Sequence, residues 1–214
     1  MLFLICFEQG VKIIYRWDGV LFVNPVKTVV NTLIDFNIIT PGMRQYYEYA
    51  IEIMAERLLS LASMCVIAIA LGKLIPALLF LGFFLLLRRH TGGYHANNFI
   101  LCYVESLTIF TGIMILGDSI MSSYPILVIS ALCISFVLIM FVGTINHPKM
   151  NFSVSELSES KKSSRYVLLL EFFIILSLNA IGASERCLGF MSWGIILCAI
   201  SIVLAKITKQ EVVK

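Results

Sequence analysis

Between residues 58 and 205 the chain repeats one pattern: an apolar stretch, a short polar break, then another apolar stretch. The stretches lie near 58–72, 74–87, 99–117, 125–143, 166–183 and 188–205. Crossing the hydrocarbon of a bilayer as a helix takes about 20 apolar residues. In lipid each span must satisfy its own backbone amides, which leaves helices as the spanning elements for stretches of this length. Six such stretches predict an all-α polytopic membrane protein whose loops lie at two water interfaces. Composition agrees, since 59% of the residues are hydrophobic and 14% charged, whereas soluble domains carry about 25% charged residues. The second stretch is short and needs tilt or help from its flanks. Gly72-Lys73 suits a tight hairpin between the first two, with one kinked span as the alternative.

Charge placement orients the spans. Arg88, Arg89, Lys149, Lys161, Lys162, Arg165, Lys206, Lys209 and Lys214 fall on one side, and Lys73 and Arg186 on the other, near Asp118 and Glu185. Positive loops stay in the cytoplasm, so six spans put both termini and both basic loops there. The basic residues are spread between apolar segments and form no nucleic-acid patch.

The flanking regions are less regular. Residues 1–40 have no clean period, Trp17-Asp18-Gly19 interrupts them, and they are read as an uncertain N-terminal extension. Met1–Phe7 is apolar but lacks a basic start and a small-residue cleavage site, so it is not read as a signal peptide. Residues 41–214 form a single membrane-embedded domain. Thr40-Pro41 predicts a helix start, with Thr as cap and Pro at the first helical position. The helix expected over 41–60 is amphipathic, with Glu48, Glu52 and Glu56 on one face and Tyr47, Ile51, Met54 and Leu58 on another. It is expected to lie on the membrane surface or to dock a substrate. The longest polar connection, 144–165, holds His147-Pro148 and Ser153 to Ser164, and is read as a flexible cytoplasmic loop.

Polar chemistry concentrates in the window 88–106, Arg-Arg-His-Thr-Gly-Gly-Tyr-His-Ala-Asn-Asn-Phe-Ile-Leu-Cys-Tyr-Val-Glu-Ser, which joins the second and third spans. Gly92 and Gly93 allow backbone closed to other residues, and irregular backbone at membrane depth must be protein-buried or line a wet cavity. Polar groups there are functional candidates. His95 and Cys102 are the types a thiol protease needs, a thiolate nucleophile and an imidazole that exchanges its proton. With Asn97 or Asn98 as N-cap, Cys102 falls early in the third span, where the helix dipole favours a thiolate. Seven residues of helix rise roughly 10 Å, too far for a catalytic hydrogen bond of about 3 Å. His95 must therefore precede the helix, on a turn hinged at Gly92-Gly93, and fold back toward Cys102.

These residues alone leave alternatives open. A His and a Cys near an interface serve structure as readily as catalysis. Glu105 is positioned to orient His95, to pair with Arg88 or Arg89, or to remain a neutral, hydrogen-bonded group. His90, His95 and Cys102 are metal-ligand types, but their spacing matches no common zinc pattern, and no metal or other cofactor is expected. Cys6, Cys65, Cys133, Cys187 and Cys198 have no nearby partner in sequence, and no CxxC pair occurs. Six spans with intramembrane Glu171 and Asn179 are also compatible with a peptide exporter, or with a noncatalytic membrane scaffold.

The window resembles the accessory gene regulator B (AgrB) family of Gram-positive bacteria. The residues that carry the resemblance are Arg88-Arg89-His90, Gly93, His95-Ala96 and Cys102-Tyr103-Val104-Glu105-Ser106. It extends over the plan from about residue 41 to the end, six spans with a basic polar loop after the fourth, whereas residues 1–30 look like an extension beyond the family's usual start. The resemblance implies a membrane cysteine endopeptidase that processes an AgrD-like precursor peptide into a cyclic autoinducer for quorum sensing, at the cytoplasmic face of the cell membrane. It implies Cys102 as nucleophile and His95 as the proton-transfer group. Arg88 and Gly93 match positions the family also needs, Arg88 as a clamp for an acidic tail or as a membrane-anchoring cation, and Gly93 to permit the turn. Implied partners are the precursor and the lipid bilayer, with a homodimer as a further arrangement.

Overall fold

The computed structural model describes residues 23–94, 96, 98–146 and 152–210. Among these the chain forms α1 (Val23–Asp35), α2 (Arg44–Ala70), α3 (Leu74–Thr91), α4 (Phe99–Ser123), α5 (Pro125–Val142), α6 (Val154–Ala180) and α7 (Glu185–Ile207), with a 3₁₀ turn at Pro41–Met43 ahead of α2. Six helices, α2 to α7, are long and apolar enough to cross a membrane. The expected count of spans and the all-α polytopic fold both hold.

Short connections make neighbours antiparallel. The α2–α3 link is a tight hairpin, which excludes the single kinked span. Gly72 takes φ +64°, the Gly72 N–H donates to the Ile69 carbonyl at 3.0 Å, and the Lys73 N–H donates to the Ala68 carbonyl at 2.8 Å. These two bonds close the helix end as a Schellman motif. The α6–α7 link repeats the device, with Gly182 donating to Asn179 at 3.1 Å and Ala183 to Leu178 at 2.9 Å.

Helix α7 is the centre of the bundle, with α3, α4, α5 and α6 packed around it. Its buried side includes Ile195, Cys198 and Ile202, which cluster with Leu87, Ile139, Ile145 and Leu168, and Phe190, which clusters with Phe80, Phe110 and Met114. At Gly194 a side-chain carbon would lie 3.0 Å from the Phe80 carbonyl oxygen and the Phe84 amide nitrogen. Glycine there lets the α3 and α7 backbones touch, as small residues do in membrane bundles where packing, not water, drives association. Large apolar side chains point outward on the other helices; Ile126 and Phe141 are both 80% exposed, as a lipid-facing surface requires.

Three expectations change. First, the amphipathic helix of 41–60 and the first span are one continuous helix, α2. Thr40 stands at the start, but its side chain makes no cap hydrogen bond. The glutamate face is the enclosed one, with Glu48 and Glu52 buried and Glu48 paired to Arg44 at 3.1 Å, while Met54 and Leu58 are exposed. In a bilayer the apolar face seeks lipid and the carboxylates seek protein. Second, residues 23–40 pack onto the bundle: α1 buries Val26 and Val30 against Ile39, Tyr47 and Ile51, and the Arg44 guanidinium donates to Asn31. Third, the expected loop 144–165 ends early, because α6 already begins at Val154. Ser153 and Glu156 form a capping box that satisfies donors at both ends of the first turn. At 27 residues α6 is about 40 Å long, longer than the roughly 30 Å hydrocarbon layer, so its polar first turns have room to stand in the interface. His147, Pro148 and Lys149 lie outside the described residues.

Candidate functional site

The site is built where α3 stops. Gly92 (φ +64°) and Gly93 (φ +130°) turn the chain, and Gly92, Gly93, Tyr94, Ala96 and Asn98 are all non-helical. The expected break between His95 and Cys102 is therefore present in the backbone, and residues 92–102 are not one helix. The last α3 carbonyls find partners in distant segments. The His90 carbonyl accepts from the Thr144 hydroxyl at 2.8 Å and the Ser160 hydroxyl at 3.1 Å. The Thr91 carbonyl accepts from the Ile145 N–H at 2.9 Å. The stretch after α5 and the start of α6 thus cap α3 and hold the turn.

Arg88 closes the turn from inside. Its Nη1 donates to the Gly92 carbonyl and, at 2.8 Å, to the Ser201 hydroxyl; its Nη2 donates to the Tyr94 carbonyl at 2.5 Å. Gly93 passes directly beneath. A Cβ on it would stand 1.7 Å from Arg88 Nη1 and 2.8 Å from Ser201 Oγ. The Tyr94 N–H then donates to the Ser201 carbonyl at 2.9 Å. Among the described residues no carboxylate pairs with Arg88. A guanidinium has five donors, and two of them have no partner among the described residues.

Helix α4 begins as expected. Asn98 is its N-cap: the side chain accepts from the Leu101 N–H at 2.8 Å. The Cys102 N–H makes a helical bond back to the Asn98 carbonyl at 3.2 Å. Cys102, half-buried, is the fourth residue of α4, within reach of the helix's positive end. Glu105 is half-buried. Of the three roles open to Glu105, the ion pair with Arg88 or Arg89 is not formed, and Arg88 is turned onto backbone carbonyls and Ser201 instead. His95 and Asn97 lie outside the described residues, so the observed geometry concerns Arg88, Gly93, Cys102 and Glu105.

Several residues that shape the site carry no sequence signal. Ser201, Thr144 and Ser160 read as ordinary helix or loop hydroxyls. Cys198 is buried with its sulfur 3.4 Å from the Thr91 hydroxyl, which ties it to the same turn across 107 residues. Glu171 is buried in the core, and neither of its carboxyl oxygens has a hydrogen-bond partner among the described residues. At the opposite end of the bundle, Asp118 bridges Lys73 at 2.7 Å and Arg186 at 3.0 Å. A cavity of about 450 Å³ opens there beside Asp118, Arg186, Phe190 and Trp193. It shares no residue with the glycine turn, so it is separate from the Cys102 site.

The family described as AgrB, Accessory gene regulator B, matches residues 26–202 of the chain. The match takes in most of α1, all of α2 to α6 and α7 as far as Ile202, so it begins inside the stretch 1–30 expected to be an extension beyond the family's start. No curated protein and no solved structure matches.

Proposed function

The chain belongs to the accessory gene regulator B family, and from that premise we propose that it is a membrane cysteine endopeptidase acting on an AgrD-like precursor peptide. The family assigns a multi-pass membrane protein with a role in quorum-sensing peptide processing. The finer reading rests on one observation: Cys102 is the fourth residue of a helix that Asn98 caps, directly after the glycine turn that Arg88 holds.

In this reading His95 takes the Cys102 thiol proton, and the thiolate attacks the carbonyl at the junction between ring and tail of the precursor. The C–N bond breaks, His95 returns the proton to the leaving amine, and the acidic tail departs. The acyl group remains on Cys102 as a thioester. An internal Cys or Ser of the precursor then attacks that carbonyl and closes a thiolactone or lactone, and its proton regenerates the Cys102 thiol. Exchange between thioesters is nearly balanced, so holding the nucleophile close is sufficient to drive closure. Arg88 holds the turn through three donors, engaged by Gly92, Tyr94 and Ser201, which leaves two for a carboxylate of the peptide tail. Glu105 is then left as a half-buried support to the same face.

The basic residues of the catalytic end, Arg88, Arg89, Lys161, Lys162, Arg165, Lys206 and Lys209, favour its placement in the cytoplasm. Lys73 and Arg186 at the other end are both engaged by Asp118. The test is co-expression with the AgrD-type precursor. Wild type should cut it, and Cys102→Ala and His95→Ala should not. Cutting by either variant would refute the peptidase assignment.

A further inference from the structure

We propose that Ser201, on α7, is a positioning residue for Cys102 chemistry; the proposal rests on the peptidase reading of that site. It ties the central helix to both the guanidinium and the backbone that leads into His95.

The polarity of the Ser201 hydroxyl is fixed by its partners. It donates its only proton to the Cys198 carbonyl at 2.7 Å, because a carbonyl can only accept. Its lone pairs then accept from Arg88 Nη1 at 2.8 Å. Back-bonding of a serine to its own helix is common in membrane helices and by itself is structural. The bond from Arg88 is not explained that way, nor is the second link, in which the Ser201 carbonyl accepts the Tyr94 N–H at 2.9 Å. With the bond from Arg88 Nη2 to the Tyr94 carbonyl, the three residues form a closed ring of hydrogen bonds. The ring fixes Tyr94, which precedes His95, and it fixes the orientation of the Arg88 guanidinium.

Ser201 is the side chain in that ring that substitution can remove cleanly. The other acceptors of Arg88, at Gly92 and Tyr94, are backbone carbonyls. Removing the Ser201 hydroxyl leaves the α7 backbone and the Tyr94 bond in place, but frees one donor of a cation that needs its orientation. A small displacement of a catalytic charge lowers the chemical step more than it lowers binding.

The experiment uses the full chain in proteoliposomes with a synthetic AgrD-type precursor, measuring kcat and KM beside a melting temperature for each variant. Ser201→Ala should lower kcat by about ten- to a hundredfold, the range for losing one hydrogen bond to a charged group. KM should change by less than about twofold, since the residue touches no substrate. Melting should be little altered, and Ser201→Thr, which keeps the hydroxyl, should restore kcat to within about threefold of wild type, because a helical threonine can place its oxygen on the preceding turn. Wild-type kcat in Ser201→Ala overturns the proposal. So does a rise in KM at unchanged kcat, or a loss of kcat that follows the loss of folded protein, or one that Ser201→Thr fails to restore. Cutting by a Cys102→Ala chain is a different result: it overturns the reading of the site itself, and the role of Ser201 with it.

Discussion

Gly93 lies flat against the Arg88 guanidinium, so close that a methyl group on its Cα would stand 1.7 Å from Nη1. The same backbone holds φ at +130°, where a side chain is strained. Gly93→Ala must therefore push Arg88 off its acceptors or move the turn. We expect cleavage to fall at least about a hundredfold, the scale of a roughly 1 Å displacement at a reacting group. The six spans do not depend on this contact. Membrane-fraction abundance should match wild type, and a cleavage assay beside an insertion assay checks both halves.

Arg88 spans three acceptors that lie in different directions, the Gly92 and Tyr94 carbonyls and Ser201 Oγ. A lysine ammonium keeps the charge but not the planar fork. Arg88→Lys should thus leave at least one of these groups without its partner and lower kcat by about ten- to a hundredfold, the usual loss for hydrogen bonds to a charged group. An anchoring cation would tolerate the change, so wild-type turnover by Arg88→Lys would reduce Arg88 to a membrane anchor.

These two residues also show how far the sequence reached. The six spans were legible because the bilayer demands a fixed length of apolar helix, and few patterns mimic it. The break at Gly92-Gly93 and the cap at Asn98 were legible because both are local. Ser201 was not, because its partner Arg88 is 113 residues away and a serine in an apolar helix has many uses. The α1 helix was missed although Val26, Val30, Leu33 and Ile34 recur at helical spacing on one face, because the aperiodic residues before it concealed so short a run. The burial of Glu48 and Glu52 reversed the usual rule for an amphipathic helix, which assumes water rather than lipid outside.

The start of α6 was hidden inside a polar, serine-rich run. Its signal was Ser153 followed three residues later by Glu156, whose carboxylate accepts the Ser153 N–H at 2.8 Å while the Ser153 hydroxyl accepts the Glu156 N–H at 3.3 Å. Ser153→Ala should destabilise that end by about 1 kcal/mol. Fraying would reach Ser160, which caps the His90 carbonyl at the end of α3. Hydrogen exchange should accelerate over residues 154–160 and remain slow in the apolar half of α6. Uniform protection in the variant would mean that packing, not the cap, holds the first turns.

Asp118 provides a control at the far end of the bundle. Its carboxylate meets Lys73 Nζ at 2.7 Å and Arg186 Nη2 at 3.0 Å, and Lys73 also donates to the Met114 carbonyl at 2.5 Å. The pairs tie the α2–α3 turn and the start of α7 to α4. All three side chains are partly exposed, so screening by water limits the effect, and Asp118→Asn should cost about 1 kcal/mol of stability. Because the loss is electrostatic, the melting difference between Asp118→Asn and wild type should shrink as salt rises. Cleavage per folded molecule should stay at wild-type level, since no residue of this cluster touches the glycine turn or Cys102. A drop in kcat for Asp118→Asn at unchanged folded protein would mean that the two ends of the bundle are coupled, through α7 or through α4.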